Sequence, residues 1–175
     1  MGWTFYNSSG QQLSTTAGVG KIGQVVSVTK QDTFSTSSAA FTDITGLTLD
    51  ITPSATNSKI LVQYALNGAQ DHDANRAQYK LVRDSTDIFI GDPTGTSRTG
   101  VSGEFSAAHD SISDSTAAGL YLDSPSSTSA VTYKLQYRVG AGAGSVYINR
   151  TGPTWGDDAT TSISASTIVL MEVLA

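Results

Sequence analysis

The sequence predicts an all-β protein, and three observations carry that prediction. Apolar and polar residues alternate with a period of two from Ile22 onward. Clusters of turn-forming residues interrupt the alternation again and again. No segment shows the 3.6-residue period of an amphipathic helix.

The strand candidates follow in chain order. GQVVSVTK (23–30) and FTDITGLTLDIT (41–52) come first. In SKILVQYALNGA, Ile60, Val62, Tyr64 and Leu66 fall on one face and Lys59, Leu61, Gln63 and Ala65 on the other. AQYKLVRD (77–84), DIFIG (87–91), GEFSAAH (103–109) and GLYLD (119–123) are shorter. SAVTYKLQYRV sets Val131, Tyr133, Leu135, Tyr137 and Val139 against Thr132, Lys134, Gln136 and Arg138, the pattern of a half-buried strand. GSVYINR (144–150) follows. TSISASTIVLMEVLA then closes the chain, with Ile163, Ala165, Val169, Met171 and Val173 assigned to one side of a central strand.

Between these lie TPSATNS (52–58), GAQDHDAN (68–75), GDPTGTS (91–97), DSPSSTS (123–129), VGAGAG (139–144) and TGPTWGDD (151–158). Each supplies Gly, Pro, Asn or Asp where a turn needs a positive or fixed φ. Strands in this number and at this spacing imply a β-sandwich or barrel. No longer internal repeat points to a propeller or solenoid. The expected organisation is an arm over residues 1–20 and one β-domain over residues 21–175.

A chain of 175 residues buries enough surface to fold without staples. It contains no cysteine, so disulfides and thiolate metal sites are excluded. Charged residues make up only 14%, against about 25% in an average soluble protein. Polarity comes instead from 47 serines and threonines. A formal charge of −5 argues against nucleic acid as a partner, because a binder needs a basic stripe. No apolar run is long enough for a membrane-spanning helix. The N-terminus lacks the basic and apolar regions of a secretory signal, so a soluble protein without membrane insertion is expected.

The motif search yields little chemistry. GVGKIG (18–23) differs from a phosphate loop in glycine spacing, and Ile22 stands where a magnesium-binding hydroxyl belongs; a glycine hinge suits it better. Asp71, Asp73 and Asn75 have the first spacings of a calcium loop, but Arg76 and Val82 occupy the positions of the required Gly and Glu. His72 and His109 have no partner at a telling interval. Glu104 and Glu172 are the two glutamates, and the aspartates sit mostly in turns. No enzyme activity, cofactor or metal is expected. Asn7-Ser8-Ser9 and Asn149-Arg150-Thr151 match the glycosylation pattern by chance.

Two features point to association instead. Trp3, Phe5 and Tyr6, with Leu13 following, place large apolar side chains in an otherwise polar terminus. Such residues bury little in a frayed tail, which suggests that either this domain or a neighbouring molecule receives them. Segments 60–66 and 168–174 are apolar on both faces, as a sandwich interior plus a subunit interface would require. Tyr64, Tyr79, Tyr121, Tyr133, Tyr137 and Tyr147 suit either role.

The run from GQVVSVTK through LVRDSTDIFIGD (81–92), LDSPSSTSAVTYKLQYR (122–138), VYINR (146–150) and IVLMEV (168–173) resembles a family of small phage virion proteins and fibre-tip modules, frequent in phages of aquatic bacteria including cyanophages. WTFYNSSGQQL resembles the short lead-in of such modules. The family resembles jelly-roll sandwiches of the tumour-necrosis-factor and complement-C1q kind. The resemblance implies a jelly-roll-like antiparallel β-sandwich with an extended N-terminal arm, assembled as a homotrimer about an axis lined by one sheet. It carries no catalytic residues.

The expected function is therefore that of a virion structural protein, folded in the host cytoplasm before particles assemble. One placement is a capsid decoration, or cement, protein with the major capsid protein or another virion protein as partner. In that placement Trp3, Phe5, Tyr6 and Leu13 are the arm's anchors. The alternative is a tail-fibre or knob module binding a host surface glycan through loops 68–75, 91–103 and 151–158, with Trp155, Asp157 and Asp158 at the tip.

Overall fold

The computed structural model describes residues 5–6, 9, 12–13, 21–70, 76–93, 98–105, 114–140, 144–151 and 161–174. These residues form strands and turns, with no helix among them. In chain order the strands are β1 (Phe5–Tyr6), β2 (Gln12–Leu13), β3 (Lys21–Lys30), β4 (Phe34–Thr36), β5 (Thr42–Ile51), β6 (Lys59–Gln70) and β7 (Ala77–Arg83). Then come β8 (Thr86–Ile88), β9 (Gly103–Phe105), β10 (Asp114–Asp123), β11 (Val131–Val139), β12 (Val146–Ile148) and β13 (Ser166–Leu174).

Two antiparallel sheets make a sandwich. In the first, β6 pairs with β10 on one edge and with both β13 and β12 on the other, and these pair in turn with β3 and β4. The segments β3 and β4 thus share one strand line, and β12 and β13 another. The second sheet runs β5, β11, β7, with β8 and β9 sharing the last edge. Counting each shared line once leaves eight strand positions, ordered 1-8-3-6 in one sheet and 2-7-4-5 in the other. That connectivity is a jelly roll, with successive strands crossing between sheets.

The alternation seen in the sequence decides which side chains enter the core. Val131, Tyr133, Leu135, Tyr137 and Val139 are all buried, as are Ile60, Val62, Tyr64 and Leu66. In β13 the buried apolar residues are Ile168 and Leu170, while Val169, Met171 and Val173 point to the other face. At about 25 cal/mol per Å2 of apolar surface, this inter-sheet layer is the main favourable term.

Glycine and tyrosine pair across strands within the core. Gly119 is the register partner of Tyr64, and a Cβ there would lie 2.3 Å from the tyrosine ring. Gly103 is likewise the partner of Tyr79, whose hydroxyl would be 2.2 Å from an added Cβ. The two tyrosines meet edge to face at 6.0 Å. Both glycines lie on edge strands, where the ring of the neighbouring strand covers the missing side chain.

Two clusters of interior polar side chains are hydrogen-bonded together. Asp123 of β10 receives two hydrogen bonds from Arg83 Nη1, at 2.9 and 2.8 Å, and one from the Tyr133 hydroxyl at 2.7 Å. This bridge ties one sheet to the other and avoids the cost of an unpaired buried carboxylate. Burial, reinforced by the Asp123 carboxylate, pushes the Tyr133 hydroxyl far above the ordinary tyrosine range. The second cluster centres on Asn149, in the left-handed region at φ 61° and fully buried. Its Nδ2 donates to the carbonyls of Lys30 and Asp32, and its Oδ1 accepts from Ser166.

The N-terminal lead-in carries one pairing of its own. Phe5 pairs with Leu13 and Tyr6 with Gln12, so the chain reverses into a short antiparallel hairpin. Ser9, between the two strands, lies in a turn.

Candidate interaction surface

The outward face of the first sheet is built from the residues that alternate with the core. Register fixes how they line up across strands. Val25 of β3 pairs with Met171 of β13, Met171 with Leu61 of β6, and Leu61 with Leu122 of β10. An apolar row therefore crosses the whole sheet. The next row is Ser27, Val169, Gln63 and Leu120. On the other side lie Ile22 and Val173, brought into register by a bulge in β3, with Lys59 beside them.

Four of these side chains are well exposed: Ile22 at 51%, Val25 at 55%, Leu120 at 60% and Leu122 at 46%. Leu61, Val169, Met171 and Val173 are half-buried between them. The face turns polar toward its far end, where Thr29 and Thr167 share a row with Ala65 and Ala118, and Asn67 pairs with Thr116. Isolated exposed apolar residues are ordinary, but a contiguous band marks an interaction site.

The outward face of the second sheet is of the opposite character. Asp43 Oδ2 lies 2.8 Å from Lys134 Nζ, and its Oδ1 accepts from Gln136 at 2.6 Å. The Lys134 ammonium holds the Asp43 carboxyl below the usual carboxylate range. Lys80 pairs with Asp87 at 2.7 Å, and Arg76 with Glu104 at 2.6 Å. Gln78 links Arg138 to Glu104. The Phe41 ring lies 4.5 Å from both the Lys80 ammonium and the Arg138 guanidinium. Exposed pairs of this kind add little stability, yet they keep the face hydrated.

The sandwich is thus two-faced. One sheet meets solvent through a lattice of internally paired charges, and the other presents aliphatic side chains. Alternation within β6 and β13 signalled half of the apolar band. The contributions of Ile22, Val25, Leu120 and Leu122 needed the strand order to become visible.

The residues singled out in the sequence fall differently. Phe5, Tyr6 and Leu13 lie on the two strands of the terminal hairpin. Trp3, Trp155, Asp157 and Asp158 lie outside the described residues, as do His72, His109 and the 71–75 segment. Among the described residues, no group of three or more His, Cys, Asp or Glu side chains could hold a metal ion. No helix among them is long and apolar enough to cross a membrane.

No protein-family model matches the chain, and no curated protein matches it. Among solved structures it is similar to the crystal structure of the infectious bursal disease virus VP2 subviral particle. The identity is 18% and the TM-score 0.35, over 87% of this chain. The chain spans 37% of the length of that protein chain. The jelly-roll assignment rests on the strand pairing described above.

Proposed function

We propose that this chain is a virion structural protein of a bacteriophage, a homotrimeric capsid decoration protein that self-associates through the outward face of its first sheet. The observation that carries the reading is the row Val25, Met171, Leu61 and Leu122, extended by Ile22, Val173, Val169 and Leu120. Leaving such a band in water is costly, and a second copy offers the same uncharged surface at no genetic expense. The charge-laced face of the other sheet then points away from the contact and hydrates the particle's exterior. Uncharged Ser/Thr-rich surfaces suit dense packing beside identical copies, where a strong like-charge field would be repulsive.

In this reading the sandwich supplies the oligomer, and the lead-in supplies contacts to a neighbouring molecule of the particle through Trp3, Phe5, Tyr6 and Leu13. The protein performs no catalysis, takes no cofactor, and folds in the host cytoplasm before assembly. The resemblance to small phage virion proteins supplies the setting, and the two-faced sandwich supplies the physical reason for self-association. Immunogold electron microscopy of purified virions tests the placement. Label over the whole head is the expected result; label confined to the tail tip would replace decoration with the fibre reading.

A further inference from the structure

Every open sheet exposes unpaired backbone groups at its edges, and proteins guard those edges against adventitious pairing. Three of the four edges in this sandwich are guarded. The β3 edge is bulged opposite the Met171–Val173 step. The β5 edge carries a bulge at which Gly46 takes φ 84°, together with Asp43 and Asp50. The edge beyond β7 is divided between β8 and β9, three residues each.

The β10 edge has no bulge and no division, and its aspartates stand only at its two ends. Its ten residues pair one for one with β6 without a register shift. Between Asp114 and Asp123 the strand reads STAAGLYL, with no charge and no proline. Among the described residues, β6 is the only strand with which β10 pairs. Beside it, Phe89 stacks on Tyr121 with ring centroids 5.3 Å apart. Phe89 is a bulky residue held at φ 53°, an uncommon conformation that marks a constrained position. Phe89 remains 39% exposed, so an aromatic side chain borders the open strand at Tyr121.

A matching donor exists in the chain itself. Residues 1–20 contain no charged residue. In an extended strand Trp3 and Phe5 share one face, as the border beside β10 requires. The lead-in's own hairpin is held by two residue pairs, and a two-stranded ribbon so short is marginal alone. The lead-in also enters the sandwich at β3, on the opposite edge of the same sheet from β10. Donor and acceptor at opposite edges produce a head-to-tail contact between copies, the kind that closes a ring.

We propose that the lead-in of one copy adds as a further antiparallel or parallel strand to the free edge of β10 in the next copy, with its aromatic face on Phe89. Main-chain hydrogen bonds supply the affinity and the aromatic side chains the register. This inference rests on the self-association reading and names the neighbour that receives the arm.

The absence of cysteine makes cross-linking a clean test. Full-length chains carrying Ala118→Cys on β10 are co-expressed with chains carrying Thr4→Cys, Phe5→Cys, Tyr6→Cys or Asn7→Cys, and mild oxidation follows. Sedimentation reports the assembly mass in parallel. The expected result is a disulfide-linked pair, twice the 18.2 kDa chain mass, for at least one of the four positions in an assembly of several chains. An intact assembly with no cross-link at any of the four overturns the strand donation and leaves self-association standing. A monomeric mass for the unmodified full-length chain overturns both.

Discussion

The Ser166 hydroxyl donates to the Asn149 side-chain oxygen at 2.6 Å, joining two segments of one strand line across a gap in sequence. β12 ends at Ile148 and β13 begins at Ser166. Ser166 also accepts the Asn67 amide of the neighbouring strand, at 3.0 Å. Asn149 spends its two side-chain N–H groups on Lys30 and Asp32, where the adjacent strand line is broken as well. One amide therefore seals coincident interruptions in two neighbouring strand lines.

Replacing Asn149 with alanine should cost about 3 kcal/mol, because buried carbonyls and a hydroxyl lose their partners. Asn149→Gly should be milder by about 1 kcal/mol, since glycine accepts the left-handed φ without a Cβ penalty. Urea unfolding of the two variants separates the side-chain contribution from the backbone one. Equal midpoints for both would show that the left-handed backbone contributes nothing.

Gly119→Ala should destabilise the sandwich by about 2 kcal/mol through overpacking. The added methyl group collides with the Tyr64 ring, which is itself packed against Tyr79. The double variant with Tyr64→Leu should recover part of the loss by removing the ring. A thermal melt of single and double variants reads the coupling.

Glu172 gives the fold a dependence on acid. It is buried, which raises its pKa, but hydrogen bonds from Ser54 and Gln24 prevail and hold it at about 2, below the ordinary value of 4.5. Its Oε1 accepts both the Ser54 amide and the Ser54 hydroxyl at 2.6 Å, tying the turn after β5 to β13. The folded pKa is depressed, so this stability is complete above pH 4.5 and is lost as the pH falls toward 2. Unfolding curves for wild type and Glu172→Gln should lie apart at pH 7 and converge toward pH 2.

The apolar face predicts a separation of assembly from folding. Val25→Asp combined with Leu120→Asp should reduce the sedimenting species from three chains to one, with the monomer still folded by circular dichroism. Thr29→Asp, at the polar end of the same face on β3, should leave the mass unchanged. Equal behaviour of the two variants would move the contact away from the band.

The sequence by itself determined the fold class and the core, because a strand's side chains alternate with the same period as the residues that encode them. Val131 to Val139 show this directly: each odd-numbered position is buried. Alternation is silent where both faces are similar. The first half of β10, Asp114–Ala118, reads as Ser, Thr and Ala after its aspartate, and β4 is only three residues long. Both are strands because a neighbour pairs with them.

The candidate surface needed tertiary structure for a related reason. Val25, Leu61, Leu122 and Met171 are far apart in the chain, and only strand order and register set them in one row. The same holds for Asn149, whose sequence context suggested no more than a chance glycosylation match. Its part in closing two broken strands arises from long-range pairing, because β-structure is made between segments and local sequence specifies only what each segment can offer.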